Sequence, residues 1–109
     1  MASHPTNEER EAVALPTVRR ALAALAGADA SELESVLRDD VVVLTASGRE
    51  SGPRHAAFAL VGACLDATSW EPPRQNGAHA LLAFDRGEGA RGGIVLEVRR
   101  DGVVFAAMV

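Results

Sequence analysis

The chain has no lysine and no tyrosine among its 109 residues, and only one cysteine and one tryptophan. Without lysine there is no Schiff-base nucleophile and no ammonium base. Without tyrosine there is neither a phenol acid nor a phenolic oxyanion donor. Cys64 alone excludes an intrachain disulfide and fits a reducing, cytoplasmic compartment. No apolar run approaches the roughly 18 residues that a spanning helix needs, and Met1-Ala2-Ser3-His4-Pro5 has no basic stretch leading into an apolar one. Positive charge is short as well: eleven basic residues face fifteen acidic ones, for a net −4. That balance lacks the footprint of a nucleic-acid binder or a polybasic membrane anchor. The catalytic palette shrinks to three histidines, the carboxylates, one thiol and the hydroxyls of Ser and Thr.

What is present suits one globular domain: 48% hydrophobic and 24% charged residues. Residues 1–15 read as a polar, partly helical extension and 16–109 as the domain proper. Thr6-Asn7-Glu8-Glu9 has the form of a capping box, and Pro16 predicts a kink or a restart at the first helical position. Val18, Leu22 and Leu25 fall at helical spacing, with Gly27 as the stop. Ser31 predicts the start of a second, short helix with Leu33, Val36 and Leu37 inward. Val41 to Thr45 is a β-branched run, predicted as a strand buried on both faces. Pro53 opens a third helix to about Ala67, with Phe58, Val61, Cys64 and Leu65 as its apolar stripe. Asn76-Gly77, Gly87 to Gly93 and Asp101-Gly102 then punctuate strands at 78–86, 94–100 and 103–109. Trp70 to Gln75 fits another strand only at an edge or bulge, because of Pro72-Pro73. Helices grouped before a meander predict an α+β fold, ordered α-α-β-α-β-β-β-β, with helices on one face of a mainly antiparallel curved sheet.

This order, with particular residues, resembles the NTF2-like superfamily, in its SnoaL-like and ketosteroid-isomerase-like branch. The matching pieces are Ala21 to Asp29 at the end of the first helix and Leu37-Arg38-Asp39-Asp40-Val41-Val42-Val43 at the entry to the first strand. Ser51-Gly52 and Asp101-Gly102 complete the set. Trp70 to Ala80 is similar to a segment of the SnoaL-like domains that follow some extracytoplasmic-function sigma factors. The resemblance implies a conical, cystatin-like sheet around the third helix with a cavity at one end, and a homodimer formed through the outer sheet face. It also permits a residue-by-residue test. The isomerase's general base would fall on Thr45, its oxyanion-donating tyrosine on Ala21 and its protonated aspartic acid on Leu96. All three are absent, so steroid-isomerase chemistry is not expected.

Other signals are weaker than they look. Gly87-Glu88-Gly89-Ala90-Arg91-Gly92 matches G-x-G-x-x-G, yet a strand follows instead of a helix, so it reads as a hairpin. His55, in the first turn of the third helix, and His79, on a strand, are the available acid–bases, but their spacing makes no metal site. Asp39-Asp40 points to opposite faces of a strand. Cys64 reads as core, and Trp70 as either a core cap or a ligand platform. The residues expected to line the pocket are Leu25, Val43, Thr45, His55, Phe58, Trp70 and Leu96. A pocket this apolar predicts binding of a small apolar ligand or a partner without a cofactor, a metal or catalytic residues. Two alternatives stand beside it: a cyclase or isomerase using His55 or His79, and a structural module whose cone is filled by its own side chains.

Overall fold

The computed structural model describes residues 7–100 and 102–109; Thr6 of the expected capping box, His4 and Asp101 lie outside them. The elements run α1 (Asn7–Ala26), α2 (Ala30–Val36), β1 (Leu37–Thr45), β2 (Gly48–Ser51), α3 (Pro53–Ala63), β3 (Ser69–Trp70), β4 (Arg74–Asn76), β5 (His79–Gly87), β6 (Ala90–Arg99) and β7 (Gly102–Met108). The predicted α+β class is the one found; the order differs in adding β2, paired with β1 before α3, and in dividing the expected edge strand into β3 and β4.

Of the two outcomes expected at Pro16, a kink or a restart, the restart does not occur; the helix passes through it, with the proline ring exposed and Thr17 and Val18 buried on the other side. The junction expected between 15 and 16 therefore falls inside a helix. The first helix ends in a Schellman arrangement, Asp29 N–H donating to Ala24 O and Ala28 N–H to Leu25 O. The helix stops at Ala26, just before Gly27 as expected, and the left-handed residue of the motif is Ala28, at φ 51°. Asp29 then caps α2 instead of Ser31, its carboxylate accepting from the Glu32 amide at 3.0 Å. One residue thus closes the first helix and opens the second. Arg20 ties the pair together by donating to Glu32 and to Ser35 Oγ.

The sheet order is β2-β1-β7-β6-β5-β3, with β4 also on β5, and every pair is antiparallel except β1 with β7. Pro72-Pro73 splits the last edge into β3 and β4, both paired with β5, which is the bulged edge that two prolines require. Glu88 and Gly89, both with positive φ, turn β5 into β6, so the glycine-rich stretch is a hairpin.

The inner face carries Val41 and Val43, Ala80, Leu82 and Phe84, Ile94, Leu96 and Val98, and Val103 and Ala106, all buried. β1 is therefore buried on one face, not both: Val42 is half-buried and Leu44 is 41% exposed on the other side. The helices share that inner face, α3 over β1 and β2, α1 against β4 and β6, and α2 beside α3 and β1. The rod expected at the centre of the cone is one of three covering elements. It is also shorter than predicted, ending at Ala63 rather than Ala67. Its buried stripe is Ala56, Ala57, Leu60 and Val61, continued by Cys64 just past its end; Phe58 and Leu65 are exposed. Alanines at 56, 57, 59 and 63 make either face of this helix apolar enough to bury, and the smaller side chains fit closer to the sheet.

At the heart of the β5–β6 ladder, Phe84 pairs with Gly92. A Cβ on Gly92 would sit 2.5 Å from Phe84 Cζ and 2.9 Å from Arg86 Nε. The ring occupies space that only glycine leaves. Gly92→Ala is expected to cost about 1–3 kcal/mol by overpacking. Gly62→Ala, whose Cβ would meet nothing within 4 Å on α3, should move stability the other way by up to ~1 kcal/mol through helix propensity. Urea midpoints of the two variants would check this, and an unchanged midpoint for Gly92→Ala would refute the packing account.

Candidate functional site

β1 delivers Thr45 to the inner face at the open end of the cone, beside the last residues of β7 and the exposed side of α3. The gap between them is a groove of about 800 Å³, lined on one side by Phe58, Ala59, Gly62 and Ala63 and on the other by Leu44 to Ser47, Glu50, Arg86, Met108 and Val109. Large apolar side chains stand uncovered around it: Phe58 is 61% exposed and Val109 73%. A shallower neighbouring hollow is lined by Arg54 and His55, and the two grooves share Glu50, Phe58 and Ala59.

Among the described residues, Arg86 is the only cation lining the main groove. Its guanidinium carbon lies 4.8 Å from the centroid of the Phe84 ring, and Trp70 packs on the same ring at 4.6 Å with the planes tilted by 37°. Nη1 donates to Ala63 O at 3.3 Å and to Asp66 Oδ1 at 2.5 Å. Stacking on Phe84 and these two bonds hold a long side chain in one orientation, 27% exposed. Thr45 spends its hydroxyl on the β1–β2 turn, where it accepts from the Ser47 amide at 3.2 Å. It is not poised as a base.

The residues expected in one pocket divide into two sets. Thr45 and Phe58 line the main groove, and His55 and Phe58 the adjoining one. Leu25, Val43 and Leu96 are instead packed into the continuous core with Ala21, and Trp70 leans on that core from its edge. The cone's interior is occupied by side chains, so the concavity has moved outward to the rim. His79 is on the outer sheet face, directly across from Glu97 in the β5–β6 register. Among the described residues neither the His55 nor the His79 side chain makes an ion pair or hydrogen bond, and no group of three His, Cys, Asp or Glu side chains is placed to hold a metal ion. Asp39 and Asp40 are exposed, Asp40 pairing with Arg38 at 3.2 Å. Arg86 was missed by the sequence reading because its importance comes from Phe84, Ala63 and Asp66, which lie up to 23 residues away.

Burial pushes the Cys64 thiol from its ordinary 9.0 up to about 11; the Arg86 charge pulls the other way and Asp66 adds to the rise. The thiol is 4% exposed and belongs to the core.

The polypeptide path has close counterparts among solved structures. A polyketide cyclase-like protein from Sinorhizobium meliloti superposes with a TM-score of 0.70 at 16% identity, over 86% of this chain and 94% of that one. An NTF2-like protein of unknown function from Mesorhizobium loti does so at 0.72 and 17%, over 99% and 97%. A cystatin-fold protein from Novosphingobium aromaticivorans gives 0.65 and 18%, over 87% and 96%. No family model matches the sequence, and no curated protein matches it. The fold is NTF2-like.

Because Cys64 stays protonated in the folded chain and ionises near 9 once unfolded, its burial stabilises fully below pH 9 and that contribution fades as pH rises through 11. Against Cys64→Ala, the parent protein should lose about 2 kcal/mol of relative stability between pH 8 and pH 11. Parallel urea unfolding at the two pH values measures it; identical pH slopes would contradict the assignment.

Proposed function

We propose that the protein is a cytoplasmic binding module that takes a small, largely apolar molecule in the groove between α3 and the sheet rim, without transforming it. The observation that carries this reading is Phe58. A phenylalanine 61% exposed above a concavity, with Leu44, Met108 and Val109 across from it, is apolar surface awaiting cover. No helix among the described residues is long and apolar enough to cross a membrane. The isomerase positions hold Ala21, Thr45 and Leu96, and neither of the two histidines in the described residues forms an ion pair with a carboxylate. Those facts favour binding over acid–base chemistry.

The cyclase-like neighbour keeps an enzymatic reading in view, with His55 at the adjoining hollow beside Glu50 as its acid–base. A purely structural role draws its support from the solid interior, in which Leu25, Val43 and Leu96 are almost wholly buried.

The same proposal includes a homodimer through the outer sheet face. Val42 and Leu44 of β1, Phe105 and Ala107 of β7, and Val95 and Leu81 follow one another across paired strands on that side. An isologous contact needs one self-complementary patch, and a sheet face of this kind supplies it.

Titration of the isotopically labelled protein with 2-ethylnaphthalene is expected to shift the amides of residues 58–63 and 44–47. Gly62→Leu, which fills the groove without touching the core, should weaken binding roughly tenfold or more. Absence of binding, or shifts confined elsewhere, would reject the groove.

Sedimentation at micromolar concentration should show a species of twice the 11.4 kDa chain mass. Val95→Arg should return it to monomer, whereas a parent protein that is already monomeric would remove the dimer.

A further inference from the structure

We infer that the molecule bound in the groove carries a carboxylate, and that Arg86 receives it. This rests on the groove being a ligand site and goes one step further, to the ligand's class: a small apolar acid.

Arg86 has five N–H donors, and the protein uses those of Nη1 alone, on Ala63 O and Asp66 Oδ1. Nε and Nη2 have no hydrogen-bond partner among the described residues. Together they form the side edge of the guanidinium, the fork whose spacing matches the two oxygens of a carboxylate. The edge belongs to a side chain that lines the groove and is three-quarters covered, where a charge-assisted pair is less screened than at the surface. Its position is fixed in advance by the Phe84 ring, so a ligand would not have to order a mobile arginine.

Two carboxylates stand nearby and bear on the choice. Asp66 touches Arg86 through one oxygen only and is 59% exposed, and Glu50, at the groove's outer wall, is exposed as well. Water screens both more than it screens Arg86. The same chain already shows one guanidinium serving two carboxylates: Arg91 holds Glu71 at 2.6 Å and Asp85 at 3.3 Å. A second carboxylate on Arg86 would repeat that arrangement, with an apolar body lying toward Phe58 and Met108.

The test compares three probes that share one ring system: 2-naphthoate, 2-acetylnaphthalene and 2-ethylnaphthalene, titrated into the full chain by calorimetry with amide shifts to locate them. The expected result is 2-naphthoate binding roughly tenfold tighter than the hydrocarbon. That advantage should shrink as salt rises from 50 to 300 mM. Arg86→Gln should erase the difference in affinity between the acid and the hydrocarbon. If the hydrocarbon binds in the groove and the acid gains nothing over it, or the ketone binds best, the inference falls and the groove stands. Shifts from 2-naphthoate centred on Arg74 and Arg91 at the outer face would also overturn it. If none of the three binds, the groove itself falls. The probe comparison on the unmutated chain decides the matter even if Arg86→Gln does not fold.

Discussion

Phe84 lying across Gly92 is the contact on which the rest of the molecule depends. It places a full aromatic ring on the inner face of a β-ladder at a point where any side chain opposite would collide with it. The ring is wholly buried, so it closes the interior of the cone near its open end. From there the consequences run outward. Trp70, on the short edge strand β3, has a surface to pack against, and Arg86, two residues along β5, has a ring to lie over. The arginine is then delivered to the mouth already oriented. One glycine therefore determines both that the cone is solid and that its rim carries an ordered charge.

The alanine-rich composition acts in the same direction. Alanine fills 21 positions of the chain, and the buried face of α3 uses Ala56 and Ala57 beside Leu60. Small side chains against a sheet leave little room for an internal void, because protein interiors pack at crystal-like density. The larger residue of that helix, Phe58, is turned outward. A chain of this size has limited apolar surface to bury, and leaving a phenylalanine uncovered costs it stabilisation. That cost makes the groove the most informative surface of the molecule.

Much of the architecture was legible in the residues because it is local. Asn76-Gly77 and Gly87 to Gly93 announced hairpins, the double proline announced a broken edge strand, and the β-branched run from Val41 announced a strand. Thr45 and Phe58 were expected to line an internal pocket, and they lie instead along the groove at the rim. What was not legible depended on choices between near-equals. Asp29 outcompeted Ser31 as the cap of α2 because the Schellman turn ending α1 had already placed its backbone in an extended conformation one residue before the new helix. Phe58 and Leu65 looked like core because they are the largest apolar residues of their segment, yet close helix–sheet packing selected the alanines. Leu25, Val43 and Leu96 were expected around a hollow that Phe84 fills. Arg86 gave little local sign, since Ala63 and Asp66, which fix its guanidinium, lie 23 and 20 residues away.

An NTF2-like cone can therefore hold its outline while its site moves. In a hollow cone, ligand chemistry is set by side chains of the inner strands, deep in the sheet. Here the inward strand positions Val43 and Leu96, with Ala21 of α1, are occupied in packing. The remaining concavity is built from chain ends: the last residues of β1 and β7, the β1–β2 turn and the outer side of α3. Rim positions of this kind tolerate substitution more readily than core positions, because a change there alters contacts with solvent or ligand without opening a cavity. Filling the interior thus ties stability to the core and leaves the rim groove, the site proposed here for a ligand, free to vary without it. Shared outline with cyclase-like and uncharacterised neighbours at 16–18% identity fits that separation, since fold is retained by packing while the groove's chemistry is written in a few exposed residues.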